Sequence, residues 1–314
     1  MEQPYVSIIL TSYNFERYIE QAISSLLNQT LKAQVEIIIV DDASKDNSAS
    51  IIKNFEAVNK NIIFIHHIVN KGAAYSINEA FNLANGKYLC RFDGDDIWSS
   101  NFLLKTTDIL EQHPAVALVY CNCSYVNSEG KVTNKDVLTR RKTKETIAYE
   151  FDDLLADYYI TAPTILFRKN ILDSIFPVPE KYNFLDWYLS LSVSLKHPFY
   201  FLNETLAFYR VHDEGMHVQM IANKKGEETT FDILNHFRNI NALSKAQLKE
   251  LSVIFNKKFA FSYFGQNLFK DARRYMINYL KNDVSALTDI KMLRLFFGSY
   301  LGKAYPKIKS ILKK

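Results

Sequence analysis

Over its first 125 residues the chain alternates between two hydrophobic periods. "VSIIL", Val6 to Leu10, is a short continuous apolar run of the kind that forms a strand buried on both faces. After it, Tyr18, Ile19, Ala22, Ile23, Leu26 and Leu27 recur at helical spacing. "VEIIIV", Val35 to Val40, predicts a second strand, and Ser44 or Asp46 is placed to cap a helix around Ile51, Ile52 and Phe55. The pattern continues with "IIFIHH", a helix through Ile77, Phe81 and Ala84, "YLCRF", a helix from Phe102 to Leu110, and "AVALVYC". Near-continuous apolar strands separated by helices predict an α/β domain built on a doubly wound, mainly parallel sheet.

From about Tyr125 to Tyr159 the periodicity dissolves into polar residues, including "TRRKTKE", and an exposed excursion is expected there. Aromatic residues do not interleave with its cations, so no nucleic-acid partner is predicted. Strand-like segments return at "PTILFR" and "LAFYR", with a helix between them from Leu185 to Leu195. Beyond His217 the chain reads as several helices with aromatic and aliphatic stripes, so the predicted division is a catalytic domain over 1–215 and a basic helical appendage over 216–314.

Ligands of doubly wound sheets bind at the carboxyl ends of the strands. Three polar clusters fall at such ends: "TSYN" (Thr11 to Asn14), "DDAS" (Asp41 to Ser44), and Asp93, Asp95 and Asp96 around Gly94. Like charges that close repel, and hard oxygen donors suit Mg2+ or Mn2+, with water and substrate phosphate completing the shell. Gly94 is expected to let the backbone turn sharply at the strand end. No phosphate loop of the G-x-x-x-x-G-K-[ST] type is present.

Charge sharpens the picture. A net charge of +4 hides an asymmetry, because residues from Ala222 onward carry 18 Lys+Arg against 7 Asp+Glu, leaving the preceding part acidic. Cys90, Cys121 and Cys123 lie in apolar strands and read as reduced core residues of a cytoplasmic protein without a signal peptide. No apolar run reaches the roughly 18 residues needed to span a bilayer. His66, His67 and His113 show no partners in the sequence and read as non-catalytic.

"VSIILTSYN", "IIIVDDASKDNS", "NKGAAYSINEAFNLANGKYLCRFDGDD", "FLDWYLSL" and "YRVH" together resemble the successive signatures of family-2 inverting glycosyltransferases of the GT-A fold. The resemblance covers roughly the first 215 residues in the right order. It implies a nucleoside diphosphate sugar donor, with UDP expected first and dTDP or GDP as alternatives. It also implies a divalent cation and an acceptor hydroxyl on a glycan or lipid-linked saccharide of the bacterial cell surface. By position, Thr11, Tyr13 and Asn14 fall in the nucleobase block, with the aromatic ring stacking on the base. Asp41 and Asp42 match the acidic pair after the second strand, and Asn70, Gly72 and Asn78 match the block flanking the donor. Asp93 and Asp95 fit donor ribose and metal contacts, and Asp96 fits the direct metal ligand. Asp186 matches the catalytic base. Arg210 and His212 match positions near diphosphate and metal, with metal ligation and phosphate bonding both open for His212. The chain departs from the family at Ile77, where arginine is frequent, and at Leu185, where the first acid of a pair usually stands.

Two other readings compete. A sugar nucleotidyltransferase would carry a Gly-rich basic signature after the first strand, and "TSYNFERY" has no glycine. A non-catalytic glycan- or nucleotide-binding relative is the other. The tail supplies a last expectation. After Asp289 no acid follows, while Lys291, Arg294, Lys303, Lys307, Lys309, Lys313 and Lys314 alternate with apolar residues at helical spacing. That mixture suits a helix lying in an anionic membrane interface on the cytoplasmic face, or a helix packed on the core with a solvated basic side.

Overall fold

The apolar run at the start becomes strand β1 (Val6–Ser12), buried along its whole length. There follow α1 (Ile19–Leu27), β2 (Val35–Asp41), α2 (Ser48–Val58), β3 (Ile62–His66), α3 (Ala73–Leu83), β4 (Tyr88–Asp93), β5 (Ile97–Trp98), α4 (Phe102–Gln112) and β6 (Leu118–Val126). Next come β7 (Val132–Asn134), β8 (Thr146–Ala148), α5 (Phe151–Ala156), β9 (Ile165–Arg168), α6 (Lys169–Leu172), α7 (Leu185–Ser194) and β10 (Phe199–Arg210). The structure is a computed structural model that describes residues 4–139, 144–212, 215, 225–283 and 288–302. The chain divides into two compact units, Met1–Gly215 and Met216–Lys314.

The sheet of the first unit runs β3-β2-β1-β4-β9-β6-β10-β5, with β7 on β6 and β8 on β10. Pairing is parallel from β3 through β4 and again between β6 and β10, while β9 joins the two halves antiparallel to β4 and β6. Consecutive residues Ile8, Ile9 and Leu10 are all fully buried, as are Ile37, Ile38 and Ile39, so helices cover both faces. The expected α/β class with a mainly parallel sheet is what forms. The chain moves outward from β1 to β3 and then returns to β4 beside β1, which opens a crevice at the carboxyl ends of β1 and β4. Register there sets Thr11 opposite Asp93 and Ser12 opposite Asp41.

Several local expectations change. Of the two candidate caps for α2, Asp46 accepts the Ser48 amide at 3.0 Å, whereas Ser44 bonds back to Asp41. The segment "PTILFR" opens with a 3-10 turn, Ala162–Thr164, before β9 begins. The excursion after Tyr125 is not uniformly exposed. Leu138, Leu154 and Leu155 are buried, and the fully buried Glu150 accepts bonds from the Tyr120 and Tyr159 hydroxyls. Arg140, Arg141 and Lys142 of "TRRKTKE" lie outside the described residues. All three cysteines are free and buried.

The second unit consists, among the described residues, of α8 (Lys225–Asn239), α9 (Lys245–Gly265), α10 (Phe269–Asn282) and α11 (Ile290–Leu301). Ser244 and Gln247 form a capping box at the start of α9. Tyr263, Tyr275, Met276, Tyr279 and Met292 make its core. Among the described residues no helix is long and apolar enough to cross a membrane.

Candidate active site

The crevice is built by loops that stitch β1 and β2 together. Asn14 holds a left-handed conformation (φ 58°), which asparagine tolerates. Its amide donates to Ser44 Oγ at 2.8 Å and its Oδ1 accepts the Lys45 amide at 2.7 Å. Ala43, also left-handed (φ 64°) and buried, is a costly conformation for a residue with a Cβ, and such strain concentrates at functional loops. Tyr13 is 42% exposed on this edge, while Thr11 donates to Asp93 Oδ1 at 3.1 Å.

Asp41 and Asp42 look inward. Buried Asp41 accepts the Ser44 amide and hydroxyl at 3.0 and 2.5 Å and lies 3.1 Å from His66 Nδ1. Asp42 Oδ1 accepts the Lys71 amide at 2.8 Å and its Oδ2 the Gly72 amide at 2.8 Å. Asn70 Nδ2 donates to the Asp42 carbonyl at 3.1 Å. Gly72 has φ 89°, a left-handed backbone that glycine adopts freely, and it leads into α3. The histidines do have partners, contrary to the sequence reading. Buried His67 bridges Asp42 Oδ1 (2.8 Å) and Glu79 Oε2 (2.7 Å), fixing the Asn70–Gly72 segment from behind.

At the end of β4 the acidic turn is held from β10. The Arg210 amide donates to Asp96 Oδ1 at 2.9 Å, and its guanidinium reaches the carbonyls of Asp95, Asn127 and Ser128 and the Gln21 side chain. Four of five donors are thereby engaged, and Arg210 serves here as a buried brace. His212 Nε2 lies 3.0 Å from Asp95 Oδ2, with its ring against Tyr18 and Phe15. Gly94 does not adopt a left-handed turn; a Cβ there would meet Ile19 Cδ1 at 2.9 Å and Phe15 Cδ2 at 3.1 Å. Close packing, not backbone freedom, requires the glycine. Asn78 is likewise committed elsewhere, exchanging bonds of 2.9 and 2.8 Å with the Val178 backbone.

Burial pushes the Asp93 carboxyl up to about 6 even though Arg91 opposes it, and Asp95 and Asp186 add repulsion. Asp96 is pushed well up by burial first and by Asp95 and Asp93 next. Arg91 itself was not singled out from the sequence, where it reads as a polar interruption of an apolar strand. It is buried, and it donates from Nη2 to Asp93 Oδ1 and from Nη1 to Asp186 Oδ2, each at 2.6 Å. Asp186 stands in the first turn of α7. The acidic turn and the lone acid of "FLDWYLSL" thus share one guanidinium.

A family model for glycosyl transferase family 2 matches residues 7–176, more than half the chain. The chain belongs to that family. This family-2 glycosyltransferase is 31% identical over 212 residues to a Bacillus subtilis glycosyltransferase named for teichuronic acid biosynthesis, covering 67% of this chain and 80% of that one. Its fold resembles S. aureus TarS 1-349 in complex with UDP-GlcNAc, with a TM-score of 0.64, 20% identity, and coverage of 90% and 81% of the two chains. It also resembles a mannosyltransferase of Pyrobaculum calidifontis in complex with GDP-Man and Mn2+, with a TM-score of 0.60, 15% identity, and coverage of 99% and 84%.

The donor set of this family-2 glycosyltransferase suits a hard divalent cation. Among the described residues Asp96 Oδ2 and His212 Nδ1 are buried without a hydrogen-bond partner, and Asp95 stands beside both, next to Asp96 in the turn and 3.0 Å from His212 Nε2. Among the described residues no three His, Cys, Asp or Glu side chains form a ready-made cluster. A divalent ion that keeps several waters and borrows phosphate oxygens from its substrate needs few protein ligands.

Proposed function

We propose that the protein transfers a sugar from a UDP-linked donor, with inversion, to a hydroxyl of a glycan or lipid-linked saccharide in cell-surface polysaccharide synthesis. The observation that carries this reading is the pairing of Asp93 and Asp186 through Arg91, which joins a donor-side acid to an acid on a separate helix. Tyr13 stacks on the nucleobase beside Thr11, and the amides of Lys71 and Gly72, aimed by Asp42, edge the donor site. Asp41, Asn14 and Asn78 act behind that surface by fixing loops, with Asn70 supporting the same segment. Asp95, Asp96 and His212 would hold Mn2+ or Mg2+, which when bound neutralises charge on the departing diphosphate. Asp93 contacts the ribose side, and Arg210 keeps the turn in place. Asp186 takes the proton as the acceptor oxygen bonds to the anomeric carbon; the bond from that carbon to the phosphate oxygen breaks, and its electron pair leaves with UDP. The relatives named above, one for teichuronic acid and one bound to UDP-GlcNAc, support the substrate class.

The same reading sets the enzyme at the cytoplasmic face of the plasma membrane. On α11, Ile290, Phe297 and Tyr300 are 63–66% exposed, and Lys291 and Arg294 are exposed with them. Aromatic and cationic side chains mixed on one exposed helix suit an anionic interface. Met292, Gly298 and Ser299 are the residues α11 buries. Lys303, Lys307, Lys309, Lys313 and Lys314 lie outside the described residues.

A thermal-shift screen of UDP, GDP and dTDP with and without Mn2+ tests the function, because a ligand of the folded state raises the melting temperature by mass action. We expect UDP with Mn2+ to give the largest rise and UDP-sugars to release UDP on incubation. No shift with any nucleotide, and no UDP release, would sink the reading.

A further inference from the structure

Arg91 occupies a position with no obvious structural need for charge. It lies within β4, 5% exposed, on a strand whose neighbours Tyr88, Leu89, Cys90 and Phe92 form core. Burial works against a cation there, and Asp186 and Asp93 more than offset it. The two acceptors come from separate elements, since Asp93 ends the same strand while Asp186 is 95 positions away on α7. Nη1 serves one and Nη2 the other, a division that a planar fork holds at fixed spacing and direction, whereas an ammonium on a flexible stem does not fix either. The bond to Arg91 occupies Asp186 Oδ2, and the Asp186 side chain keeps 18% exposure. Among the described residues Asp186 has no other ion-pair partner.

We propose that Arg91 is a positioning residue for sugar transfer: it fixes the orientation of the Asp186 carboxylate toward the acceptor while anchoring Asp93 on the donor side. This rests on the reading of Asp186 as the base. Both ends of the reaction are then set by one rigid group, and a shift of the donor-side acid is felt at the base through the shared guanidinium. Rates are sensitive to such placement, since a displacement of about 1 Å in a reacting group costs on the order of 100-fold. A purely structural ion pair has no such consequence, and a buried pair of that kind can be replaced with little loss.

The test compares Arg91→Lys, Arg91→Ala and Asp186→Asn in the full chain. The readout is UDP release from UDP-glucose and UDP-N-acetylglucosamine with Mn2+, alongside the UDP–Mn2+ thermal shift as the measure of folding and donor binding. For Arg91→Lys we expect kcat to fall about 100-fold, with a smaller rise in donor KM from the loosened Asp93 and a UDP thermal shift that persists. Guanidinium chloride at low millimolar concentration should restore part of the rate to Arg91→Ala and none to Asp186→Asn. The double variant Arg91→Lys/Asp186→Asn should be no slower than Asp186→Asn alone, because the two act as one unit. Parental kcat in Arg91→Lys, with Asp186→Asn inactive, overturns this proposal and leaves the base assignment standing. A raised donor KM at unchanged kcat also overturns it and makes Arg91 a donor-pocket residue. Full activity in Asp186→Asn overturns the base assignment and the proposal with it. If Arg91→Lys fails to show the UDP thermal shift, the guanidinium rescue of Arg91→Ala decides, and absence of rescue counts against the proposal.

Discussion

The backbone amide of Arg210 donates to Asp96 Oδ1 at 2.9 Å, while Asp96 Oδ2 is buried with no partner among the described residues. One oxygen thus aligns the turn with β10, and the other is the one the proposed cation would take. Asp96→Asn retains an acceptor for the amide but removes the ionic ligand. We expect the Mn2+-dependent thermal shift to disappear and UDP release to fall by at least about 100-fold. The metal-free variant should melt at or above the parent at pH 7, because a buried unpaired carboxylate is gone.

Asp93 gives the metal-free protein a pH signature. Its carboxyl is raised from 3.8 to about 6 by burial, so between those values the folded state holds a proton that the unfolded chain has lost. Stability from this group is therefore present at low pH and declines as pH rises from about 4 through about 6. In EDTA, the melting temperature of Asp93→Asn relative to the parent should rise across that window. Excess Mn2+ should flatten the difference, since a bound cation favours the ionised form. A flat difference in EDTA would contradict the burial argument.

His67→Phe removes the link between Asp42 and Glu79. Asp42 keeps the amides of Lys71 and Gly72, so what is lost is one buried bond to a charged group, about 1.5 kcal/mol, which urea unfolding would detect. Because Asp42 aims the amides of Lys71 and Gly72, titration with UDP should show weakened binding, with donor KM changing more than kcat. Unchanged UDP affinity would mean that this segment does not touch the donor.

Gly94→Ala places a Cβ 2.9 Å from Ile19 Cδ1 and 3.3 Å from the Thr11 carbonyl. Overpacking of this kind costs about 1–3 kcal/mol. Gly265→Ala, near the end of α9 with nothing within 4 Å of the added Cβ, should be neutral or stabilising by up to about 1 kcal/mol. Chemical denaturation of the pair separates a packing requirement from a general intolerance of side chains at glycine positions.

The exposed face of α11 should carry membrane affinity. We expect salt-sensitive sedimentation with vesicles containing anionic lipid, each cation adding about 1 kcal/mol near the surface. Phe297→Ser with Tyr300→Ser should weaken it without changing the UDP thermal shift. Indifference of the full chain to anionic vesicles at low salt would leave α11 as a purely structural helix.

The alternation of apolar runs and helical stripes settled the α/β class, the position of β1, β2, β4 and α7, and the gathering of Thr11, Asp41 and Asp93 at strand ends. These are local properties: a side chain's period of burial is imposed by the element it sits in, so it is legible within a window of ten residues. Charge crowding at Asp93, Asp95 and Asp96 was legible for the same reason, since their repulsion needs no knowledge of the rest of the chain. The tertiary structure alone decided what each polar group faces. Arg91 reads as a flaw in a core strand until Asp186, 95 positions away, is folded against it. His67 seems idle until Asp42 and Glu79 close on it, and Arg210 seems a free cation until four of its five donors are taken. The chain does turn at Gly94 as expected, but what demands glycine is the space that Phe15 and Ile19 leave, not backbone freedom. Hydrogen bonds and close packing depend on atoms brought within about 3 Å by the fold, and sequence separation carries no record of that distance.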